Sequence, residues 1–144
     1  FSRALDYVTV HLARLIVKDA EGSTKFVQVR VKNAKNFDCA RKVAVSISNS
    51  NLVKTALFGN NTNFGRIIAS VGASGGLISP KRLDIYLGNI KVVRKGCALE
   101  VSEIALKKVL KKSDIVITVD LNDGRGNFSM FTCDLSYDYI RKNI

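Results

Sequence analysis

Apolar positions recur along this chain with two periods, and the switches between them lay out the elements. Leu5, Val8, Leu12, Leu15 and Ile16 share one face at helical spacing, predicting a helix from Ser2, which can cap it, to about Ala20. Gly22 stops that helix. From Lys25 to Lys32 the period becomes two, with Val27, Val29 and Val31 on one face and Gln28, Arg30 and Lys32 on the other, the mark of a half-buried strand. Phe37, Ala40, Val43, Ala44 and Ile47 predict a second helix with Asp38 near its start, and the apolar run Leu52 to Phe58 reads as a short buried strand. Gly59 to Asn63 is a loop, Asn63 can cap a helix from Phe64 to about Val71, and Gly72 to Gly76 is a connector. Leu83–Leu87 and Ile90–Val93 flank Gly88-Asn89, a two-residue hairpin turn. Glu100 to Leu110 is helical, with Val101, Ile104, Ala105 and Val109 expected inward and Lys107, Lys108, Lys111 and Lys112 outward. Strands over Asp114–Leu121 and Asn127–Leu135 follow, and a last short helix begins near Ser136. Helices and strands interleave with at least one hairpin, so the fold class is α+β: one unit over residues 1–144, its sheet mixed or largely antiparallel, with helices packed against it.

The 144 residues are 47% hydrophobic, enough to build a core at this size and too many for a disordered tail. No apolar run approaches the roughly 18 residues that span a bilayer, and the opening residues show no signal-peptide pattern, so a soluble chain without a membrane partner is expected. Lys and Arg number 23 against 12 Asp and Glu, a net charge of +11 that raises the question of nucleic acid. The basic residues are spread out, however; only the four lysines near 110 cluster, and no basic stretch is interleaved with aromatics. A solvated basic surface is the simpler reading, and a small anionic ligand ranks ahead of nucleic acid. Cys39, Cys97 and Cys133 fit no zinc spacing and read as free thiols in a reducing compartment. His11, the only histidine, sits inside a helical pattern, which argues against a Ser–His or Cys–His pair.

Asp19-Ala20-Glu21-Gly22-Ser23-Thr24-Lys25 is the most informative stretch. It puts two carboxylates at the C-terminal end of a helix, where the macrodipole disfavours each by about 0.3–1 kcal/mol. A local rule broken without visible gain points to function; the competing reading is a surface pair of Glu21 with Lys25. Gly59 to Arg66 is not a P-loop, because Arg66-Ile67 stands where Lys and Ser or Thr belong, and it reads as a turn with an Asn cap. Asp120, Asp123 and Asp134 fit no calcium-loop spacing and read as turn residues.

Several stretches together resemble the ornithine acetyltransferase (ArgJ) family. Leu52-Val53-Lys54-Thr55-Ala56-Leu57-Phe58-Gly59, then Asn63-Phe64-Gly65-Arg66-Ile67 and Val71-Gly72, is similar to that family's LVKTAxFG…NWGRxxAAVG, with Phe64 in place of Trp. Glu21-Gly22-Ser23-Thr24-Lys25 matches its EGxTK. Asp84 to Gly88, Val119 to Leu121, Gly124 to Gly126 and Thr132 to Ile140 follow in the same order, so the resemblance covers nearly the whole chain.

The resemblance implies an acyltransferase of arginine biosynthesis made as one precursor that cuts itself. A Thr opening the β chain becomes the nucleophile, takes acetyl from N-acetylornithine (from acetyl-CoA in some members) and passes it to glutamate, a ping-pong route through an acetyl-enzyme. The α chain supplies the oxyanion hole. No permanently bound cofactor is implied, and acetyl-CoA enters only as a co-substrate. Matched residue by residue, Glu21 of the EGxTK motif and Asn143 near the C-terminus bind the amino-acid substrate, while the nucleophilic Thr lies outside this chain. The chain then corresponds to the C-terminal part of the β chain. It is expected in the cytoplasm, or in an organelle if eukaryotic, with the α chain and the rest of the β chain as partners in an α2β2 assembly. The alternatives are a related self-processing hydrolase and a non-catalytic basic binding module.

Overall fold

The computed structural model describes residues 2–144. Its elements run in the order α1 (Ser2–Lys18), β1 (Phe26–Ala34), α2 (Phe37–Ser48), α3 (Asn51–Phe58), α4 (Gly65–Gly72), a 3-10 turn (Pro80–Arg82), β2 (Asp84–Leu87), β3 (Ile90–Arg94), β4 (Cys97–Ala98), α5 (Glu103–Leu110), β5 (Asp114–Asp120), β6 (Gly126–Cys133) and α6 (Tyr137–Lys142). The six strands form one open sheet in the order β4-β3-β2-β5-β1-β6. β1 runs parallel to β5, with Val29 opposite Ile117, and antiparallel to β6; β2 is antiparallel to both β3 and β5. The sheet is therefore mixed and the fold α+β, as the interleaved periods predicted.

Alternation places the core. Val27, Val29 and Val31 of β1 join Ile115, Ile117 and Val119 of β5 and Ile85 and Leu87 of β2 on one face, all buried. Ala40, Val43, Ala44 and Ile47 of α2 pack on them, and Leu57, Ile67, Leu106 and Leu110 extend the same cluster through α3, α4 and α5. Each fully buried Val, Leu or Ile contributes about 1.5–3 kcal/mol, so this face carries most of the fold's stability. The Gly88-Asn89 turn joins β2 to β3 as expected.

Four expectations are corrected. Leu52 to Phe58 is not a strand but α3, begun by the Ser50 side chain accepting from the Val53 N–H; Val53, Ala56 and Leu57 face the core at helical spacing. The α4 start has no side-chain cap from Asn63. In α5 the buried residues are Leu106 and Leu110, while Ile104 is 71% exposed. The fourth concerns α1: it forms, with Ser2 inside it rather than capping it, but it buries no residue.

That first helix is the inverse of an ordinary surface helix. It lies over the sheet face opposite the core, where Arg3, Tyr7, Val10 and Arg14 line a groove with Gln28 and Phe131. Arg14 (2.6 Å) and Lys18 (3.1 Å) reach Asp114, and the Arg14 guanidinium sits 4.7 Å over the Phe26 ring. Partial burial works against the Asp114 carboxylate, but the hydrogen bonds from Lys18 and Arg14 outweigh it and hold the pKa below its ordinary value. The polar side of α1 thus faces the protein. At 3.6 residues per turn the stripe Leu5, Val8, Leu12, Leu15 and Ile16 lies on the opposite side, and Leu5 is 52% and Ile16 72% exposed.

Candidate functional site

Two segments from opposite ends of the chain build one surface. After α1 the backbone turns, with the Ser23 N–H donating to the Ala20 carbonyl at 3.0 Å. Gly22 adopts φ +68, a left-handed conformation that costs glycine nothing and other residues about 1–2 kcal/mol. At the far end β6 gives way to Asp134, and Ser136 caps α6 by accepting from the Tyr139 N–H at 3.2 Å.

The two segments are stitched by polar contacts. The Asp134 side chain is 2% exposed. Its Oδ1 accepts from the Thr24 N–H at 2.8 Å and the Lys25 N–H at 2.9 Å, and its Oδ2 from the Thr24 hydroxyl at 2.5 Å. The Ser136 hydroxyl donates to the Gly22 carbonyl. Gly22 sits so close to α6 that a Cβ there would lie 2.5 Å from the Tyr139 nitrogen.

This stitching brings Glu21 and Asn143 together. The Asn143 amide nitrogen is 3.4 Å from Glu21 Oε2 and donates to the Tyr139 carbonyl at 2.8 Å. Both side chains are exposed. A carboxylate that only accepts stands beside an amide that donates and accepts, a pairing able to hold both the ammonium and the carboxylate of an amino acid.

Lys25 does not pair with Glu21 at the surface. It points inward, 7% exposed, and its ammonium donates to the Leu57 carbonyl (2.5 Å), Asn60 Oδ1 (2.6 Å) and the Leu110 carbonyl (2.7 Å). A cation thus closes the C-terminal ends of α3 and α5, where the helix dipoles are negative. Burial pushes its pKa down, partly offset by the Asp134 charge.

The remaining candidates stay apart from this site. Arg66 turns to α3, donating to the Leu52 carbonyl at 2.8 Å, rather than outward to an anion. Asp120 accepts from the Asn33 amide at 2.9 Å and Asp123 pairs with Arg82; among the described residues no group of three or more His, Cys, Asp or Glu is arranged to hold a metal. Lys107, Lys108, Lys111 and Lys112 are exposed, and the three thiols are free. No described helix is long and apolar enough to cross a membrane. Thr24, Asp134 and Ser136 were missed as members of the site. Their motifs are visible in the sequence, but nothing in either stretch shows that one closes on the other.

The chain is 48% identical over 147 residues to the arginine biosynthesis bifunctional protein ArgJ of Caldanaerobacter subterraneus subsp. tengcongensis, and 42% identical over 143 residues to that of Symbiobacterium thermophilum. Each match takes in 99% of this chain but 36% of the relative, so the chain spans about a third of their length. The crystal structure of arginine biosynthesis bifunctional protein argJ from Bacillus halodurans superposes with a TM-score of 0.95 at 39% identity, covering 98% of this chain and 67% of that one. The ArgJ family model matches residues 1–144, and the chain belongs to the ArgJ family.

Proposed function

We propose that this chain is the C-terminal portion of the β chain of an ornithine acetyltransferase and binds the amino-acid substrate through Glu21 and Asn143. The observation that carries this is the 3.4 Å approach of two side chains 122 residues apart, held by a web that leaves both facing outward. The relatives' name, arginine biosynthesis bifunctional protein, supports the pathway.

In this reading the Thr hydroxyl, outside this chain, attacks the acetyl carbonyl of N-acetylornithine. The C–N bond breaks, the amine leaves with a proton, and an acetyl ester remains; the amine of glutamate then attacks that ester and returns the hydroxyl. Where acetyl-CoA is used, its thiol is the leaving group. The Glu21 carboxylate holds the substrate ammonium and Asn143 the α-carboxylate, so the reacting carbonyl is presented in one orientation. Three free thiols accord with the cytoplasm. In the complete enzyme, Glu21→Gln lowers kcat/KM for N-acetylornithine by about 1.5–3 kcal/mol while self-cleavage proceeds; unchanged kcat/KM refutes the assignment. Turnover that requires glutamate excludes the hydrolase alternative, and a pure protein free of nucleic-acid absorbance excludes the basic binding module.

The partners follow from α1. Its outward stripe is covered by the α chain and the remainder of the β chain in an α2β2 assembly, as fits a chain matching 36% of its relatives' length. Leu12→Asp with Ile16→Asp should therefore weaken the contact with the separate α chain in the complete enzyme, giving a smaller species by light scattering. The same pair in the isolated chain should leave its urea midpoint unchanged, since neither side chain is buried. An intact assembly with both aspartates in place would exclude α1 from the interface.

A further inference from the structure

We propose that Asp134 is the positioning residue of the substrate site, fixing the geometry of Glu21 and Asn143 without touching the substrate. The proposal rests on the substrate-binding reading of that pair.

Helix α6 carries Asn143 at its C-terminal end. This helix has no buried residue, so core packing does not fix it. Among the described residues its aromatic contact is the edge-on approach of Tyr137 to Phe58, with ring centroids 5.3 Å apart. Tyr139 and Ile140 are only half covered, and polar contacts add to what packing supplies. Asp134 is the last buried residue of the β6 exit before Ser136, and its two oxygens take three donors, all from Thr24 and Lys25. Those two residues follow directly on the Glu21–Ser23 turn. Nine residues beyond Asp134 stands Asn143. The carboxylate is therefore the hinge pin between the segment carrying Glu21 and the segment carrying Asn143, and Ser136 to Gly22 is the second stitch on the same seam.

An ionised acceptor makes shorter and stronger hydrogen bonds than a neutral one, and two of the donors are backbone N–H groups whose positions define the path of the chain. Lys25 adds a constraint from the other side. Its ammonium is locked between Leu57, Asn60 and Leu110, so residue 25 is pinned by its own side chain while its N–H is pinned by Asp134. The Glu21 turn accordingly leaves a fixed post. Loss of the carboxylate leaves the Ser136–Gly22 bond as the remaining stitch between the turn and α6 while residue 25 stays anchored in the core, so the chain stays folded but the pair loses its fixed separation. The consequence is a defect in substrate binding rather than in the acetyl-transfer chemistry, which takes place on a Thr outside this chain.

The experiment is steady-state kinetics of the complete enzyme. Asp134→Ala should raise KM for N-acetylornithine about tenfold or more, with kcat within about threefold of wild type. Asp134→Asn retains an oxygen for the two backbone N–H groups and should recover most of that loss, which a role in bulk stability does not predict. Thr24→Val, at an exposed position, removes the hydroxyl bond, keeps both backbone bonds to Asp134 Oδ1 and should raise KM a few-fold. In a Glu21→Gln background each change should cost less than it does in the wild type, because one of the two groups it positions is already lost. Impaired Glu21→Gln alongside wild-type KM in Asp134→Ala and Thr24→Val overturns the positioning role alone. So do losses that multiply fully with Glu21→Gln. A silent Glu21→Gln instead removes the substrate-binding reading and this proposal with it.

Discussion

Lys25→Met is expected to lower the stability of the chain by about 3 kcal/mol in equilibrium urea unfolding. Methionine fills a similar volume, so the loss is not a cavity effect. It comes from three acceptors that lose their donor together: the Leu57 and Leu110 carbonyls and Asn60 Oδ1. Buried acceptors left unpaired cost about 1–3 kcal/mol each, and the returned desolvation of the ammonium offsets part of the total. The pH dependence carries a second signature. Burial holds the Lys25 pKa below its ordinary 10.5 in the folded chain. Between the folded and unfolded titrations, unfolding takes up a proton, so this residue's contribution grows as pH rises through that window and levels off above 10.5. The wild type should gain on the variant in alkaline buffer. A variant of unchanged urea midpoint would show that the ammonium does not hold the ends of α3 and α5.

Gly22→Ala is expected to cost the complete enzyme at least as much kcat/KM as Glu21→Gln, about 1.5–3 kcal/mol, and to lower its stability by about the 1–2 kcal/mol of backbone strain. Two effects act on the same carbon. At φ +68 an L side chain is strained by about 1–2 kcal/mol. The new methyl would also lie 2.5 Å from the Tyr139 nitrogen and 2.9 Å from its Cα, both backbone atoms that cannot swing aside as a side-chain tip would. The helix must therefore back away, and Asn143 goes with it. Because α6 buries nothing, the core is spared. Wild-type kinetics in Gly22→Ala would mean that the approach of α6 to this turn is irrelevant to the substrate.

Most of the sheet was legible because strand alternation is a strong local signal. Val27, Val29 and Val31 announce a two-sided strand, and Gly88-Asn89 announces its hairpin. The run from Leu52 to Phe58 misled for a known reason: a short apolar stretch has the same composition in a buried strand and a buried helix. Ser50, which starts α3, was the signal that would have decided it. In α5 Leu106 and Leu110 share a face at i, i+4, but Ile104 displaced them in the reading of the inward side. Helix α1 was recognised as a helix, yet its periodicity says only that one face is apolar, not what covers it. The site divides in the same way. Glu21 was suspect on electrostatic grounds, whereas Asn143 came through the family resemblance. Asp134 looked like a turn residue because its three donors lie more than 100 positions away.

The sheet order also bears on how the chain is made. β1 occupies the interior of the sheet, yet both neighbours, β5 and β6, are the last strands synthesised. When Ala34 leaves the ribosome, roughly eighty residues of β5-and-earlier sequence are still to come, a delay of about 4–16 s at the usual elongation rates. Through that interval both strand partners of Val27, Val29 and Val31 are still to be made, so an extended conformation of this segment would leave two edges open to any other strand. Arg30 and Lys32, set between and after those valines, keep its other face charged while it waits, which makes them gatekeepers of the nascent chain as well as surface residues of the finished one.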